Sequence, residues 1–150
     1  MALHKKLGIV IMSEKLTRRD TREAVFLLLF QNELSGNDIS EAAEACVEAY
    51  DMAVNNEIKN TASKVVEKYE ELDGIIGRYS EKREVSRISK VNKAILRLAL
   101  YEILYCSNIP EKVSVNEAIE LSKKYAEKQD SSFINGVLGN YIKDMGKNIE

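Results

Sequence analysis

The sequence has few of the residues that build strands and tight turns. Proline occurs once, at Pro110, glycine occurs seven times among 150 residues, and tryptophan is absent. Alanine, leucine, isoleucine, glutamate and lysine dominate instead, and these residues favour helices. The composition excludes a β-sandwich or barrel and predicts an all-α protein. With 45% apolar residues, the chain is long enough for a single compact domain.

Long hydrophobic runs are also absent. No segment approaches the roughly 18 to 20 apolar residues that cross a bilayer. The apolar stretch between Lys6 and Ser13 is too short for a signal peptide and lacks a small-residue cleavage site. We therefore expect a cytoplasmic protein with no membrane contact.

The first residues show no sustained helical period. We expect a flexible extension at 1–16, followed by one helical domain at 17–150. Met12 offers a second start codon. Residues 1–11 are therefore either an upstream-start extension or residues added in cloning.

Histidine and cysteine are too scarce for most catalytic or metal sites. The only histidine is His4, and Cys46 and Cys106 stand sixty residues apart. Two isolated cysteines on apolar helical faces are typical of reduced core thiols. The sequence has no Walker loop, no glycine-rich phosphate cradle and no zinc-ligand spacing. We predict a binding protein without catalytic residues, cofactor or metal; the alternative is a catalytic site made of carboxylates alone.

The net charge of -2 conceals a strong asymmetry along the chain. Residues 1–22 carry six Lys or Arg against two acids, whereas 23–57 carry eight acids and no base. A second basic stretch at 78–97 has seven Lys or Arg against two acids. Regions of opposite charge can hold two kinds of partner.

Apolar residues spaced three and four apart, together with capping residues, predict six helices. They run from about 17 to 34, from 38 or 40 to 52, from 59 to 79, from 86 or 89 to 106, from 114 or 115 to 125, and from 133 to 145. The fourth is expected to be the central buried helix. Within it Arg97 and Glu102 are five residues apart, so we expect each to pair with another helix. Gly136 favours a close crossing of two helices, with the approach of a ligand as the alternative.

Arginines gather at the predicted start of the first helix, after the capping residue Thr17. Arg18, Arg19 and Arg22 face the positive end of the helix dipole there, which is unfavourable. Arginine makes bidentate hydrogen bonds to phosphate and stacks on bases, so the cluster fits single-stranded RNA. The alternative is a solvated helix end offset by Asp20 and Glu23.

A second basic set occurs at helical spacing in the middle of the chain. It consists of Arg83, Arg87, Lys90 and Arg97. We favour a solvated polar face of an amphipathic helix for this set. The alternative is an extension of the same basic surface.

Five segments, taken together, resemble NusB-type transcription antitermination factors. They are Arg18-Arg19-x-x-Arg22-Glu23-Ala24, the run Ala94-Ile95-Leu96-Arg97-Leu98-Ala99-Leu100-Tyr101-Glu102, Ile109-Pro110, the run Val115-Asn116-Glu117-Ala118-Ile119-Glu120-Leu121-Ser122-Lys123, and Phe133-Ile134-Asn135-Gly136-Val137-Leu138. They occur in the family's order and spacing over about 17–143.

The resemblance implies a fold of two small helical bundles packed into one compact domain, without catalytic activity. It also implies binding to the boxA element of nascent RNA together with NusE, a small-subunit ribosomal protein. That pair joins the elongating RNA polymerase with other Nus factors. It suppresses termination chiefly in ribosomal RNA operons.

The resemblance also assigns RNA-contacting positions. They are Arg18, Arg19, Arg22, Phe30, Asn92, Gln129, Asp130 and Phe133. The family often has Tyr at the position of Phe30, so stacking is kept but a hydroxyl hydrogen bond is lost. Some members carry an acid at the position of Asn92.

Three questions stay open at this point. The chain can instead be a helical protein-interaction or dimerisation module, or an RNA-binding domain serving ribosomal RNA modification. It can be a monomer or a homodimer. Asn116 and Asn135 can satisfy buried backbone groups or contact RNA.

Overall fold

The computed structural model of the protein describes residues 16–81 and 83–149. The predicted flexible extension at 1–16 lies outside these residues except for Leu16, as do the two alternatives for 1–11 and the prediction for His4. Within the described ranges the regular elements are all helical, in agreement with the predicted all-α class. They are α1 (Arg18–Ser35), α2 (Ile39–Tyr50), α3 (Asn56–Glu67), α4 (Tyr69–Tyr79), a 3-10 turn (Val85–Arg87), α5 (Lys90–Tyr105), α6 (Glu111–Tyr125) and α7 (Asp130–Ile149). Of these helices, none is long and apolar enough to cross a membrane.

The chain divides into two compact units between Val66 and Glu67. In the first unit α1 packs against α2. In the second unit α5 contacts α4, α6 and α7, while α7 also contacts α4 and α6. The predicted pair of helical bundles corresponds to these two units.

Helix α1 begins after the predicted capping residue Thr17 and ends one residue past the predicted position 34. Thr17 and Asp20 form a reciprocal capping box, in which each backbone N–H donates to the other side chain over 3.1 and 3.0 Å. This arrangement satisfies two N–H groups that a helix start leaves without partners. At the other end Gly36 has φ of 75°. Glycine adopts this left-handed conformation without steric cost, which ends the helix.

The boundaries of α2 to α4 differ from the prediction. Helix α2 ends at Tyr50, and Asp51 takes a left-handed conformation with φ of 52°. Helix α3 begins earlier than expected, because the Asn55 side chain accepts a hydrogen bond from the Ile58 N–H. The single helix predicted over 59–79 was wrong, since the chain breaks at Lys68 between α3 and α4. Neither proline nor glycine marks this break.

Helix α5 is the central buried helix, as predicted. Every residue from 94 to 102 is buried, and Ser89 caps the helix by accepting from the Asn92 N–H. The predicted start of the next helix at 114 or 115 was wrong. Helix α6 begins at Glu111, because the Pro110 carbonyl already accepts the first hydrogen bonds. The last helix begins at Asp130 and extends past 145 to Ile149.

Arg97 is buried in α5 and pairs with Asp73 of α4. Its Nε and Nη2 atoms donate to the two carboxylate oxygens over 2.8 Å each. Its guanidinium also lies 3.8 Å from the centroid of the Tyr69 ring. A buried charge is tolerated only when such partners replace water. The expectation that Arg97 pairs with another helix is therefore confirmed.

Glu102 also pairs outside its own helix, as expected. It is buried in α5 and accepts a hydrogen bond of 2.7 Å from the Ser114 hydroxyl of α6. Ser114 was predicted to open a helix, but it lies inside α6 and its hydroxyl faces the core.

The two cysteines differ in their surroundings. Cys46 is fully buried, its Sγ lies 3.8 Å from the Leu27 carbonyl, and burial raises the pKa of the thiol to about 11. Cys106 is half-buried and follows α5. The prediction of a core thiol is therefore confirmed for Cys46, whereas Cys106 lies at the edge of the core.

Replacing Asp73 with Asn should destabilise the protein. The Asp73→Asn substitution leaves the Arg97 charge buried without a carboxylate, which costs about 2–3 kcal/mol when the lost partner is partly exposed. Urea unfolding measured by circular dichroism gives the free energy of unfolding. The double variant Asp73→Asn with Arg97→Met is the control, and it should recover part of the loss. An unchanged urea midpoint in Asp73→Asn would contradict the role of this ion pair.

Candidate nucleic-acid interface

In the first unit, the arginine cluster occupies the first turns of α1. Arg18 and Arg19 are exposed, and Arg22 is half-buried. Arg18 lies 3.0 Å from the Glu57 carboxylate, but both side chains are more than half exposed. An exposed ion pair of this kind is worth little, so a phosphate can replace the carboxylate. Glu23 is buried and Asp20 is half-buried, so Arg18 and Arg19 are the most exposed charged side chains at the start of α1.

Phe30 lies on α1, eleven residues after Arg19. Eleven residues complete three helical turns, so the two side chains share one side of the helix, about 16 Å apart along its axis. The Phe30 ring is half-buried and lies parallel to the Phe26 ring, with 6.0 Å between centroids. One side of α1 therefore carries Arg19, which suits a phosphate, and the Phe30 ring, which suits stacking on a base.

In the second unit, the end of α4, the following loop and the start of α7 enclose an open depression of about 730 Å³. Its lining residues combine two cationic groups and one carboxylate with hydroxyl, amide and aromatic groups. They are Tyr79, Ser80, Glu81, Arg83, Arg87, Ser132, Phe133, Gly136, Val137 and Asn140. Two positive charges beside an aromatic ring suit a phosphate and a base.

Contacts between elements fix this depression. The Tyr79 hydroxyl donates to Asp144 of α7 over 2.7 Å, which raises the pKa of the hydroxyl. The Tyr79 ring meets the Tyr141 ring edge to face, with 5.7 Å between centroids. These two contacts attach the end of α4 to α7.

Gly136 lies in the wall of the depression. Its expected role at a close crossing of helices was wrong, because a Cβ at this position would meet no atom within 4 Å. The close approach occurs instead at Gly77, where a Cβ would lie 3.4 Å from the Val85 side chain. The exposed Gly136 leaves space where another molecule can approach the helix.

The four residues of the second basic set do not share one helix face. The prediction that they form the solvated polar face of an amphipathic helix was therefore wrong. Arg83 lies in the loop before the 3-10 turn, Arg87 ends that turn, and Lys90 starts α5. Arg97 is buried and pairs with Asp73. Only Arg83 and Arg87 of this set line the depression.

The remaining predicted positions have different surroundings. Asn92 is 1% exposed, and its Oδ1 has no hydrogen-bond partner. Gln129 is exposed, whereas the Asp130 carboxylate accepts a hydrogen bond of 2.9 Å from the Glu127 N–H. Asn116 and Asn135 are exposed, which excludes the interpretation that they satisfy buried backbone groups.

The predicted positions fall into two sets. The first unit holds Arg18, Arg19, Arg22 and Phe30, and the second holds Asn92, Gln129, Asp130 and Phe133. Sequence reasoning missed Tyr79, Ser132 and Asn140 as lining residues of the depression. Tyr79 ends α4, whereas Ser132 and Asn140 lie on α7, and no local pattern in the sequence connects the two helices.

The comparisons with known proteins identify one family. Residues 19–143 match the model of the NusB family. A transcription antitermination protein NusB from Acetivibrio thermocellus is 41% identical over 128 residues, which cover 84% of this chain and 88% of that protein.

Solved structures agree with this match. NusB from T. maritima is similar with a TM-score of 0.72 and 36% identity, over 86% of this chain and 92% of that chain. A chain in the crystal structure of antitermination factors NusB and NusE in complex with dsRNA is similar with a TM-score of 0.71 and 27% identity, over 85% of this chain and 96% of that chain. Since the sequence match spans most of the chain and the helices are arranged as in solved NusB structures, this protein belongs to the NusB family.

Proposed function

We propose that this protein is a transcription antitermination factor that binds boxA RNA together with NusE, without catalysing a reaction. The observation that carries the proposal is its similarity to a chain in the complex of NusB, NusE and dsRNA. In this role it joins the elongating RNA polymerase with other Nus factors in the cytoplasm. It suppresses termination chiefly in ribosomal RNA operons.

The charges of the first unit support contact with RNA at the start of α1. Arg18, Arg19 and Arg22 present positive charge there, and Phe30 offers a ring on the same helix. The outward side of α2 repels phosphate, because its exposed ionisable side chains are Glu41, Glu44 and Glu48. We assign the arginine end to RNA and a different face to NusE.

The depression of the second unit supports a second RNA contact. Phe133 supplies a ring, and Arg83 and Arg87 supply charge. Gln129 and Asp130 lie at the nearby start of α7 and complete the proposed set. Asn92 is omitted from it, because a buried side chain cannot reach RNA unless the start of α5 moves.

The protein should bind boxA RNA more tightly than a scrambled RNA of equal length, and NusE should strengthen only the boxA complex. Fluorescence anisotropy with labelled RNAs at fixed physiological salt, with and without purified NusE, measures both effects. Equal binding to the two RNAs and indifference to NusE would contradict the proposal. That result would favour a helical interaction module with a solvated basic end.

Replacing Arg18, Arg19 and Arg22 together with alanine should weaken RNA binding and make it less dependent on salt. The slope of log affinity against log salt should fall by about two, since each phosphate on a single strand contributes roughly 0.7. The control replaces the same three residues with lysine, which keeps the charge but loses bidentate hydrogen bonds. It should keep the slope and lose affinity. An alanine variant with an unchanged slope would remove these residues from the RNA site.

Replacing Gly136 with alanine should weaken RNA binding although it stabilises the helix. Alanine is favoured over glycine by about 0.8–1.0 kcal/mol in a helix interior. The added methyl group enters the depression, so affinity should fall at least about fivefold, which is ~1 kcal/mol and the low end of overpacking costs. The matched control is Gly139→Ala on the same helix, also exposed with open space around its Cβ. Equal RNA affinities of the two variants would exclude the depression from the RNA site.

A further inference from the structure

Arg83 covers the aromatic ring of the depression. Its guanidinium carbon lies 4.2 Å from the centroid of the Phe133 ring, a distance typical of cation–π contact. Phe133 is only half-buried, so part of its side chain is open to solvent. In this structure the arginine therefore occupies the place of a stacked base.

Ser80 fixes the backbone of Arg83 and leaves the side chain adjustable. The Ser80 hydroxyl donates to the Arg83 carbonyl over 2.6 Å, and the Arg83 N–H donates to the Ser80 carbonyl over 3.2 Å. Ser80 is buried, whereas Arg83 is exposed. The guanidinium can therefore move away from the ring while its backbone stays anchored.

We propose that Phe133 and Arg83 form a slot for one unpaired base of the bound RNA, with the ring on one side of the base and the guanidinium on the other. This inference rests on the proposed RNA binding and names a residue that determines its specificity. To admit a base, the guanidinium moves outward by about 3.4 Å, the spacing of stacked bases along a strand. The exposed Gly136 leaves room for the sugar and phosphate of that nucleotide.

The slot selects single-stranded RNA. A base within a duplex is stacked on both sides by its neighbours, so it cannot also stack between a ring and a guanidinium. An unpaired base can be splayed out and held on both faces. Arg87 lines the same depression without a ring contact, so it adds charge but no stacking surface.

The test uses boxA-like RNAs that carry 2-aminopurine at one position each, a base analogue whose fluorescence falls when it is stacked. Wild-type protein should quench the fluorescence at one position, and Phe133→Leu should abolish that quenching. Arg83→Ala should reduce the quenching at the same position and weaken binding about fivefold to thirtyfold, which corresponds to ~1–2 kcal/mol. Arg83→Lys should restore the salt dependence of binding but only part of the quenching.

Arg87→Ala is the matched control. It should lower the salt slope by about 0.7, the value for one phosphate, and leave the quenching intact. Two results would overturn the slot: tighter binding by Arg83→Ala, which would make Arg83 only a cover, or quenching that Arg83→Ala leaves unchanged. Failure of the wild type to bind any boxA RNA would instead overturn the proposed function.

Discussion

The arrangement of helices in the second unit depends on how the neighbours of α5 compensate the charged side chains that α5 buries. A helix surrounded by three others can carry an arginine and a glutamate only if neighbouring helices satisfy them. Arg97 is satisfied by Asp73 and Tyr69 of α4, and Glu102 by Ser114 of α6. These hydrogen bonds fix the positions of α4 and α6 along α5, which apolar packing alone defines less sharply.

The position of α4 determines the depression. Once the pair of Arg97 and Asp73 fixes α4 against α5, the end of α4 places Tyr79 and Ser80. Tyr79 joins α7 through Asp144 and Tyr141, and Ser80 holds the backbone of Arg83. The slot thus has a rigid wall on α7 and an anchored but adjustable side chain opposite it. Specific sites generally need such support from the fold.

Sequence patterns predicted the elements whose signals are local. Thr17 marked the start of α1, and the apolar run at 94–102 identified the central helix. The resemblance to NusB-type factors predicted the fold and indicated Phe133 as an RNA-contacting position. The break at Lys68 was not predicted, because no breaker residue marks it. The start of α6 was predicted three or four residues too late, although Pro110 directly precedes it. The close crossing of helices predicted at Gly136 was wrong. A glycine within a helix gives the same sequence signal whether another helix or open space lies beside it.

The juxtaposition of Arg83 and Phe133 could not be predicted for a related reason. The two residues are fifty positions apart and belong to a loop and a helix. Their contact exists only because α4 and α7 are joined elsewhere. Charge spacing along the sequence suggested a helical stripe that included Arg97, whereas tertiary structure buries Arg97 and exposes Arg83.

The two proposed contacts with RNA contribute in different ways. Arginines at the start of α1 meet phosphates, whose contribution is independent of sequence and falls as salt rises. The slot takes a base, whose stacking does not depend on released counterions. Phosphate contacts position a nucleic acid and base contacts specify it. Stacking accepts every base because each has a π-face, so the slot separates unpaired from paired RNA, while discrimination between boxA and other single strands has to come from contacts to base edges and from the protein partner. The arginines set the overall affinity at a given salt concentration.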